Sequence, residues 1–215
     1  MNGVIFDLDG VLVSTDELHY QAWVRLADEL GIVGFTKKDN ERQRGVSRME
    51  SLEVLLEKSD RQYTPEEKTE LAERKNSYFK ESLNSLTPDD LLPGVLDTLK
   101  MLKERGIKTA VGSASKNASY ILERIGIEPL LDEVASGLDV TKSKPDPEIF
   151  LVAARKLNLP PEECLVVEDA AAGIEAAKRG GMLSLAVGPL YETIGGTFCA
   201  RDLSRVTDWD TILSR

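Results

Sequence analysis

The stretch VIFDLDGVLV, residues 4–13, places two aspartates, Asp7 and Asp9, directly after a run of apolar residues and follows them with a glycine. Short aliphatic runs bounded by charge or glycine are typical of buried strands. Two negative charges held that close repel and perturb each other's pKa, so they cost stability unless a cation or a reaction uses them. The stretch therefore predicts a buried strand with chemistry at its carboxyl end.

Four further aliphatic runs follow along the chain, at residues 107–113, 133–136, 164–169 and 182–188. The stretches between them carry apolar residues at helical spacing and often end at glycine. Strand and helix in repeated alternation indicate a parallel sheet covered by helices on both faces. The sequence therefore predicts an α/β fold with a doubly wound parallel sheet.

The segment from residue 16 to residue 86 interrupts this alternation, because it carries helical patterns and no convincing strand. The patterns cover residues 16–30, 47–58 and 64–83. A helical segment of that length is too long to be a simple crossover between two strands. We therefore predict an inserted α-helical cap domain over residues 16–86, above the carboxyl edge of the sheet where such folds bind ligands. Residues 1–15 and 87–215 would form the core domain.

The composition limits the class of partner. The 215 residues carry a formal net charge of −10, and 41% of them are hydrophobic. These values fit an ordinary globular protein, and the negative charge argues against a nucleic-acid or anionic-membrane surface. No apolar run reaches the roughly 18 residues of a membrane span, and the start lacks the pattern of a secretory signal. We expect a cytoplasmic monomer in which Cys164 and Cys199 stay reduced.

Functional groups recur where the predicted strands end. The first strand ends at Asp7, the second at Ser113 and the fourth at Glu168 and Asp169, while a loop carries Lys144. Parallel strands gather such groups at one edge of the sheet. Carboxylate oxygens are hard ligands that suit Mg²⁺. Asp7, with one or both of the later acids, is therefore a candidate magnesium site.

The same residues suit the transfer of a phosphoryl group. A carboxylate beside Mg²⁺ is a competent nucleophile toward phosphorus, so Asp7 could form an aspartyl-phosphate. Lys144 and Ser113 would then bind the transferring phosphoryl oxygens. Asp9 would act as the general acid and base on the departing and incoming oxygens. Together these roles predict a phosphotransferase.

Four motifs resemble those of the haloacid dehalogenase superfamily of phosphotransferases: DLDGVLVST, SAS, SKPDP and ED-xxx-G. A closer resemblance, to the β-phosphoglucomutase family, rests on further motifs. These are the Thr15, His19 and Trp23 spacing, GVSR at 45–48, ERKN at 73–76, SASKN at 113–117 and SKPDPEIF. The similarity covers nearly all of the chain and weakens after about residue 188.

The resemblance implies a set of site residues. Mg²⁺ would be held by the side chains of Asp7, Glu168 and Asp169 and by the backbone carbonyl of Asp9, and the Lys144–Pro145 peptide would be cis. Arg48 suits a phosphate because its planar fork donates two hydrogen bonds at once. The substrate contacts implied by the family are Thr15, His19, Trp23, Gly45, Val46, Ser47, Arg48, Lys75, Ala114, Ser115, Lys116 and Asn117.

The activity that the resemblance implies is the Mg²⁺-dependent interconversion of β-D-glucose 1-phosphate and D-glucose 6-phosphate. Asp7 would carry the phosphoryl group, and β-glucose 1,6-bisphosphate would serve as intermediate and activator. The alternative is a sugar-phosphate or phosphoglycolate-type phosphatase with the same core, in which water attacks the aspartyl-phosphate. A non-catalytic module that kept the fold is a third hypothesis, but Asp7, Asp9 and Lys144 are all present.

Several residues also have a purely structural interpretation. Arg48 could pair with Glu50 or Glu53 on its own helix. Lys75 lies in a helix rich in charge, where a solvated side chain is the ordinary expectation. Both residues are therefore less firmly predicted as ligands than the acids of the core.

The same holds for residues at the strand ends and on the first predicted helix. Trp23 could be packing between cap and core, His19 could be a packed or half-exposed side chain, and Ser113 could cap the next helix. Ala170 stands where the family commonly has serine, so the surroundings of the metal differ there.

Overall fold

The protein consists of two compact units. A computed structural model describes residues 1–43 and 46–215. Residues 1–14 and 87–215 form the first unit, here called the core unit, and residues 15–86 form the second, the helical unit. Within the described residues, no helix combines the length and the apolar character that a membrane crossing needs.

A parallel sheet forms the centre of the core unit. In the described part of the chain its strands are β1 (Gly3–Phe6), β2 (Lys108–Gly112), β3 (Glu133–Ala135), β4 (Cys164–Glu168), β5 (Leu183–Ala186) and β6 (Phe198–Cys199). Their order across the sheet is β3-β2-β1-β4-β5-β6, and every neighbouring pair is parallel. The chain thus adds strands first on one side of β1 and then on the other. The predicted doubly wound parallel sheet is confirmed.

Four helices link successive strands of the core unit, and a fifth follows the last strand in the described part of the chain. They are α5 (Val95–Glu104), α6 (Ala118–Arg124), α7 (Glu148–Lys156), α8 (Ala171–Arg179) and α9 (Trp209–Leu213). The sheet is buried because these helices pack on it: Ile5, Ala110 and Val166 lie in one apolar cluster with Phe150 and Ala153 of α7. Burial on both faces explains why the strands are aliphatic throughout rather than alternating.

The helical unit is inserted between β1 and β2. Its helices are α1 (Asp16–Leu30), α2 (Lys37–Glu41), α3 (Arg48–Leu56) and α4 (Pro65–Leu83). Trp23 and Leu26 of α1 share an apolar cluster with Leu52 of α3 and Leu71 of α4. The predicted helical insertion is therefore observed, whereas α2 was not predicted.

Local sequence sets the ends of these helices. Gly31 ends α1 in the left-handed conformation, with φ of 68°. The Ser47 and Thr64 hydroxyls accept the backbone N–H groups of Glu50 and Glu67, and each glutamate reaches back to the cap residue. Such reciprocal capping satisfies N–H groups that the first turn of a helix leaves free.

The two connections to the helical unit begin side by side in the core unit. The Leu92 N–H donates to the Leu12 carbonyl at 3.0 Å, and Val13 forms an antiparallel bridge with Leu91. The chain therefore leaves the core unit and returns to it at two hydrogen-bonded neighbours.

The tail beyond Gly188 adds a sixth strand and a short helix that the sequence did not predict. Strand β6 pairs with β5 through Leu185 opposite Phe198. The Gly188 N–H donates to the Arg201 carbonyl at 3.0 Å, which ties the tail back to the end of β5.

Candidate active site

Three acids meet where β1 and β4 end. Phe6 pairs with Val167 in the sheet, and the Asp7 N–H donates to the Val167 carbonyl at 2.9 Å. One carboxylate oxygen from each of Asp7, Glu168 and Asp169 lies within 4.8 Å of the others. The parallel register thus brings together acids that are about 160 positions apart in the sequence. Three hard oxygen donors in this arrangement fit a divalent cation such as Mg²⁺.

Lys144 joins this group from the loop before α7. Its side chain is only 2% exposed, and its Nζ lies 2.6 Å from Asp7 Oδ1 and 2.7 Å from Glu168 Oε1. The Nζ also lies 4.7 Å from the centroid of the Phe150 ring. The Lys144–Pro145 peptide is cis, as the resemblance implied. One ammonium thus bridges two of the three carboxylates.

Burial and neighbouring charges shift the titration of this group. Burial raises the pKa of Asp7 to about 7, Lys144 opposes the rise, and Glu168 adds to it. Burial also disfavours the Lys144 ammonium, but Asp7 and Glu168 outweigh burial and hold its pKa above the ordinary value. The lysine therefore stays charged, and a further cation near Asp7 would lower that carboxyl's pKa.

Two glycines make room for the acids, a role that the sequence analysis did not assign. A Cβ on Gly10 would lie 2.1 Å from Asp169 Oδ2, and a Cβ on Gly173 would lie 1.7 Å from Glu168 Oε1. Gly10 also has φ of 80°, a conformation that favours glycine. Glu168 Oε2 accepts the Ala170 N–H at 2.7 Å, so Ala170 contacts the site through its backbone.

Asp9 and Ser113 lie at the same edge of the sheet. Asp9 is half-buried and forms a bridge with Val13. Ser113 is buried after β2, and its Oγ accepts the Ser115 N–H at 3.1 Å. The hydroxyl thus bonds within its own loop, whereas the cap residue of the next helix is Asn117 and not Ser113. The predicted contact of Ser113 with a phosphoryl oxygen stays a prediction.

The loop of residues 114–117 follows Ser113. Ser115 Oγ accepts the Asn117 N–H at 3.1 Å, and Asn117 is buried at the start of α6. Lys116 is exposed, whereas Ala114 and Ser115 are half-buried. An exposed cation therefore stands at the carboxyl end of β2.

In the helical unit, the half-buried His19 contacts the buried Lys75. Lys75 is 2% exposed, so the expectation of a solvated side chain was wrong. Its Nζ lies 2.6 Å from His19 Nδ1 and 4.6 Å from the centroid of the Trp23 ring. The His19 ring stacks on Phe79 at 3.8 Å between centroids. Packing of α1 against α4 removes this lysine from water.

The contact determines the state of the histidine. Burial first, and then the charges of Lys75 and Arg48, hold the pKa of His19 well below its ordinary value. His19 is therefore neutral near pH 7. Because the Lys75 ammonium can only donate, Nδ1 accepts, which places the histidine's own proton on Nε2.

Arg48 pairs with a different partner from those considered. Its Nη1 lies 2.7 Å from Glu73 Oε1 on α4. The observed ion pair therefore joins Arg48 to another helix, whereas the partners considered from the sequence were Glu50 and Glu53 of its own helix. The Arg48 side chain is 20% exposed. The bond joins α3 to α4.

Four predicted contacts of the helical unit remain to be placed, besides Gly45. Thr15 is buried just before α1, and its carbonyl accepts the His19 N–H at 2.9 Å. Ser47 is the cap residue of α3, and Val46, before it, is half-buried. Gly45 lies outside the described residues. Trp23 packs in the apolar cluster of its own unit.

Comparison with known proteins supports a single family. The sequence model of the haloacid dehalogenase-like hydrolases matches residues 1–181. A β-phosphoglucomutase from Bacillus subtilis is 42% identical over 209 residues, which are 96% of this chain and 92% of the relative. A phosphorylated carbohydrates phosphatase from Thermotoga maritima is 35% identical over 185 residues, 85% of this chain and 82% of the relative.

A solved structure agrees with these sequence matches. The crystal structure of a β-phosphoglucomutase from Clostridium difficile superposes with a TM-score of 0.92 at 38% identity. The match covers 100% of this chain and 96% of that one. Similarity of this extent includes both units of the fold.

Proposed function

The chain belongs to the haloacid dehalogenase-like hydrolase family, and from this we propose that it is a mutase that interconverts β-D-glucose 1-phosphate and D-glucose 6-phosphate. The observation that carries the proposal is the Asp7 carboxylate, bonded by the Lys144 ammonium beside Glu168 and Asp169. The near full-length similarity to proteins named β-phosphoglucomutase supports the choice of substrate.

Mg²⁺ is the proposed cofactor. The side chains of Asp7, Glu168 and Asp169, with the backbone carbonyl of Asp9, would hold it. When bound, Mg²⁺ supplies positive charge that offsets the negative charge of the carboxylates and of a phosphoryl group. Carboxylate-rich sites that leave room for water and phosphate oxygens are those that Mg²⁺ prefers.

Asp7 is the proposed nucleophile. One of its carboxylate oxygens attacks phosphorus, a P–O bond forms, and the bond from phosphorus to the sugar oxygen breaks. Asp9 donates a proton to the departing sugar oxygen and later removes one from the attacking hydroxyl. Lys144 and the Ser113 hydroxyl donate hydrogen bonds to the oxygens of the moving phosphoryl group.

β-Glucose 1,6-bisphosphate is the proposed intermediate. The phosphorylated Asp7 transfers its group to one hydroxyl of the sugar phosphate, and after the bisphosphate turns round, Asp7 takes the other phosphoryl group. The phosphate that is not reacting needs a cationic site of its own. Arg48 and the Ser115-Lys116-Asn117 stretch are proposed to provide it, with Arg48 exchanging Glu73 for phosphate.

The helical unit is proposed to act as the cap that excludes water from the phosphorylated Asp7. In such enzymes closure of a cap decides whether a sugar hydroxyl or water attacks. The other predicted sugar-phosphate contacts of this unit are Thr15, His19, Trp23, Gly45, Val46, Ser47 and Lys75. Within this set the neutral His19 offers an Nε2–H donor.

A sugar-phosphate phosphatase is the second candidate. The observation in its favour is the similarity to the Thermotoga maritima protein, whose name describes a phosphatase of phosphorylated carbohydrates. The two candidates share the chemistry at Asp7 and differ in whether water or a hydroxyl attacks.

One assay separates the two candidates. The purified protein is incubated with β-glucose 1-phosphate, a trace of β-glucose 1,6-bisphosphate and Mg²⁺, and both products are measured. Glucose 6-phosphate without free phosphate is the result expected of the mutase, whereas stoichiometric free phosphate would identify the phosphatase. The Asp7→Asn variant is expected to form neither product, and its full activity would rule out the aspartyl-phosphate.

A further inference from the structure

The loop that carries Lys144 is fastened by a carboxylate outside the group of acids described above. Glu148 is the first residue of α7, and its Oε2 accepts the Lys142 N–H at 2.7 Å and the Thr141 N–H at 2.9 Å. The Thr141 hydroxyl lies 3.3 Å from the same oxygen. These bonds draw the beginning of the loop onto the start of α7.

The other side of Lys144 is fastened as well. The Asp146 N–H donates to the Ser143 carbonyl at 3.0 Å, and Asp146 Oδ1 accepts the Glu148 N–H at 3.1 Å. The backbone is therefore bonded both before and after Lys144. The backbone N–H groups of Lys142 and then Thr141 hold the pKa of Glu148 below its ordinary value.

The helix start also supports the lysine itself. Phe150 lies two positions beyond Glu148 on α7, and its ring lies 4.7 Å from the Lys144 Nζ. The first turn of α7 thus contacts both the backbone of the loop and the end of its lysine side chain. A shift of this loop against α7 would carry Nζ away from Asp7 and Glu168, to which it is held at 2.6 and 2.7 Å.

We propose that Glu148 is a positioning residue for Lys144, because it bonds the loop backbone to α7 and so keeps the ammonium between Asp7 and Glu168. The inference rests on the proposed function in one respect, since it takes Lys144 to bind the transferring phosphoryl group. Glu148 itself has no contact with the three clustered acids among the hydrogen bonds described, so its effect passes through the loop.

The test compares Glu148→Ala and Glu148→Gln with the wild type. In the alanine variant both backbone N–H groups lose their acceptor, and kcat is expected to fall on the order of 10²-fold, as for a misplacement of about 1 Å. KM for β-glucose 1-phosphate should change less than kcat. The glutamine carbonyl can accept the same two N–H groups without the charge. Glu148→Gln should therefore keep most of the kcat that Glu148→Ala loses.

Tryptic cleavage provides a readout that does not depend on activity. Lys142 is exposed, and trypsin can cut after it, whereas the bond after Lys144 is protected by Pro145. Cleavage of the Lys142–Ser143 bond, followed by mass spectrometry, should be faster in Glu148→Ala than in the wild type. The matched control is Glu67→Gln, which changes a glutamate that accepts the Thr64 N–H at 2.9 Å in the helical unit. It should leave kcat and this cleavage unchanged.

The outcomes separate this inference from the proposed function. A Glu148→Ala variant with wild-type kcat, or with unchanged cleavage at Lys142, overturns the positioning role. A loss of kcat accompanied by faster cleavage at every tryptic site, in both Glu148 variants, also overturns it, because that result marks general unfolding. If the wild type has no activity on β-glucose 1-phosphate, the proposed function fails, while cleavage and turnover of p-nitrophenyl phosphate still decide the role of Glu148.

Discussion

Two lysines among the described residues are almost fully buried, one in each unit, and their surroundings differ. Lys144 lies between the carboxylates of Asp7 and Glu168. Lys75 contacts the neutral imidazole of His19 and lies near the rings of Trp23 and Phe79. The first lysine is held by opposite charges, whereas these contacts of the second are with polarisable, uncharged groups.

The two ammonium groups therefore affect the ionisation of their neighbours differently. Lys144 favours the ionised form of Asp7, whose pKa burial alone would raise further. Lys75 disfavours the ionised form of His19 and so lowers its pKa. A nearby ammonium favours the charged form of a carboxylate and the neutral form of a histidine. In the core unit the lysine thus partly offsets the effect of burial on Asp7, and in the helical unit the lysine adds to the effect of burial on His19.

The largest expected effect follows the removal of the first cation. Lys144→Met keeps the aliphatic length and should lower kcat by about 10³-fold, the loss that follows removal of a donor to a transition-state oxygen. The Asp7 pKa should rise above about 7, because the opposing charge is gone. Steady-state turnover of β-glucose 1-phosphate at pH 7 measures the loss.

The matched control for this variant is Lys142→Met, in the same loop. The Lys142 side chain is 67% exposed, and its ion pair is with Asp146 at 3.4 Å, outside the three clustered acids, so its loss should leave kcat close to the wild-type value. Retention of a tenth or more of the activity in Lys144→Met would contradict the role given to the core lysine.

The next effect concerns Glu168, one of the three acids proposed to hold the metal. Gly173→Ala would place a Cβ 1.7 Å from Glu168 Oε1, so that the carboxylate must move. Mg²⁺ affinity should fall about 10- to 100-fold, the range for changes to groups that orient metal ligands. Isothermal titration of Mg²⁺ measures the change.

Gly180→Ala serves as the control on the same stretch of chain, because its added Cβ would meet nothing closer than 3.3 Å. Equal Mg²⁺ affinity in the two alanine variants would show that the position of Glu168 does not govern binding.

A smaller effect tests the second cation. Lys75→Met removes a positive charge beside His19, so the pKa of His19 should rise, although burial and Arg48 continue to hold it down. His19 is the only histidine in the sequence, and its ring signals in an NMR titration therefore need no assignment. Lys80→Met changes an exposed lysine on the same helix and should leave the titration as it is. An unchanged His19 titration in Lys75→Met would show that the ammonium does not act on the ring.

The smallest effect is on stability at mildly acidic pH. His19 has a lowered pKa in the folded chain, so below about pH 6.5 the unfolded chain binds a proton that the folded chain does not. The contribution of His19 to the free energy of unfolding is therefore present above that pH and is lost as the pH falls. Asp7 acts with the opposite sign between about pH 4 and pH 7, because its folded pKa is raised from 3.8 to about 7.

Comparison of the wild type with His19→Asn isolates the contribution of His19 to the free energy of unfolding, because Asp7 is present in both proteins. The difference between their free energies of unfolding, from urea denaturation, should shrink as the pH falls below 6.5. A difference that stays constant down to pH 5 would contradict a neutral His19 in the folded protein.

The regular elements with a strong local pattern could be predicted from the sequence. The helix predicted over 16–30 is observed as Asp16–Leu30, because its apolar spacing is unbroken and Gly31 ends it. The acids of the site could also be predicted to meet, since parallel strands place their carboxyl ends at one edge. The catalytic roles of Asp7, Asp9, Ser113 and Lys144 remain predictions.

The features that the sequence did not reveal depend on contacts between distant residues. Lys75 is surrounded by charged residues in sequence, yet it is buried by a helix 56 positions away, where His19 lies. The β6 strand has two residues, too few for an alternating pattern. The need for glycine at positions 10 and 173 becomes visible only when the acids that lie against them are known.

The paired connection at Leu12 and Leu92 has an evolutionary consequence. A segment whose two ends meet at hydrogen-bonded neighbours can be exchanged for another without stretching the surrounding sheet, as is typical of tolerated domain insertions. The residues proposed for phosphoryl transfer all lie outside that segment. Lineages could therefore acquire new substrates by replacing the inserted helices, while the chemistry of the sheet edge was inherited unchanged.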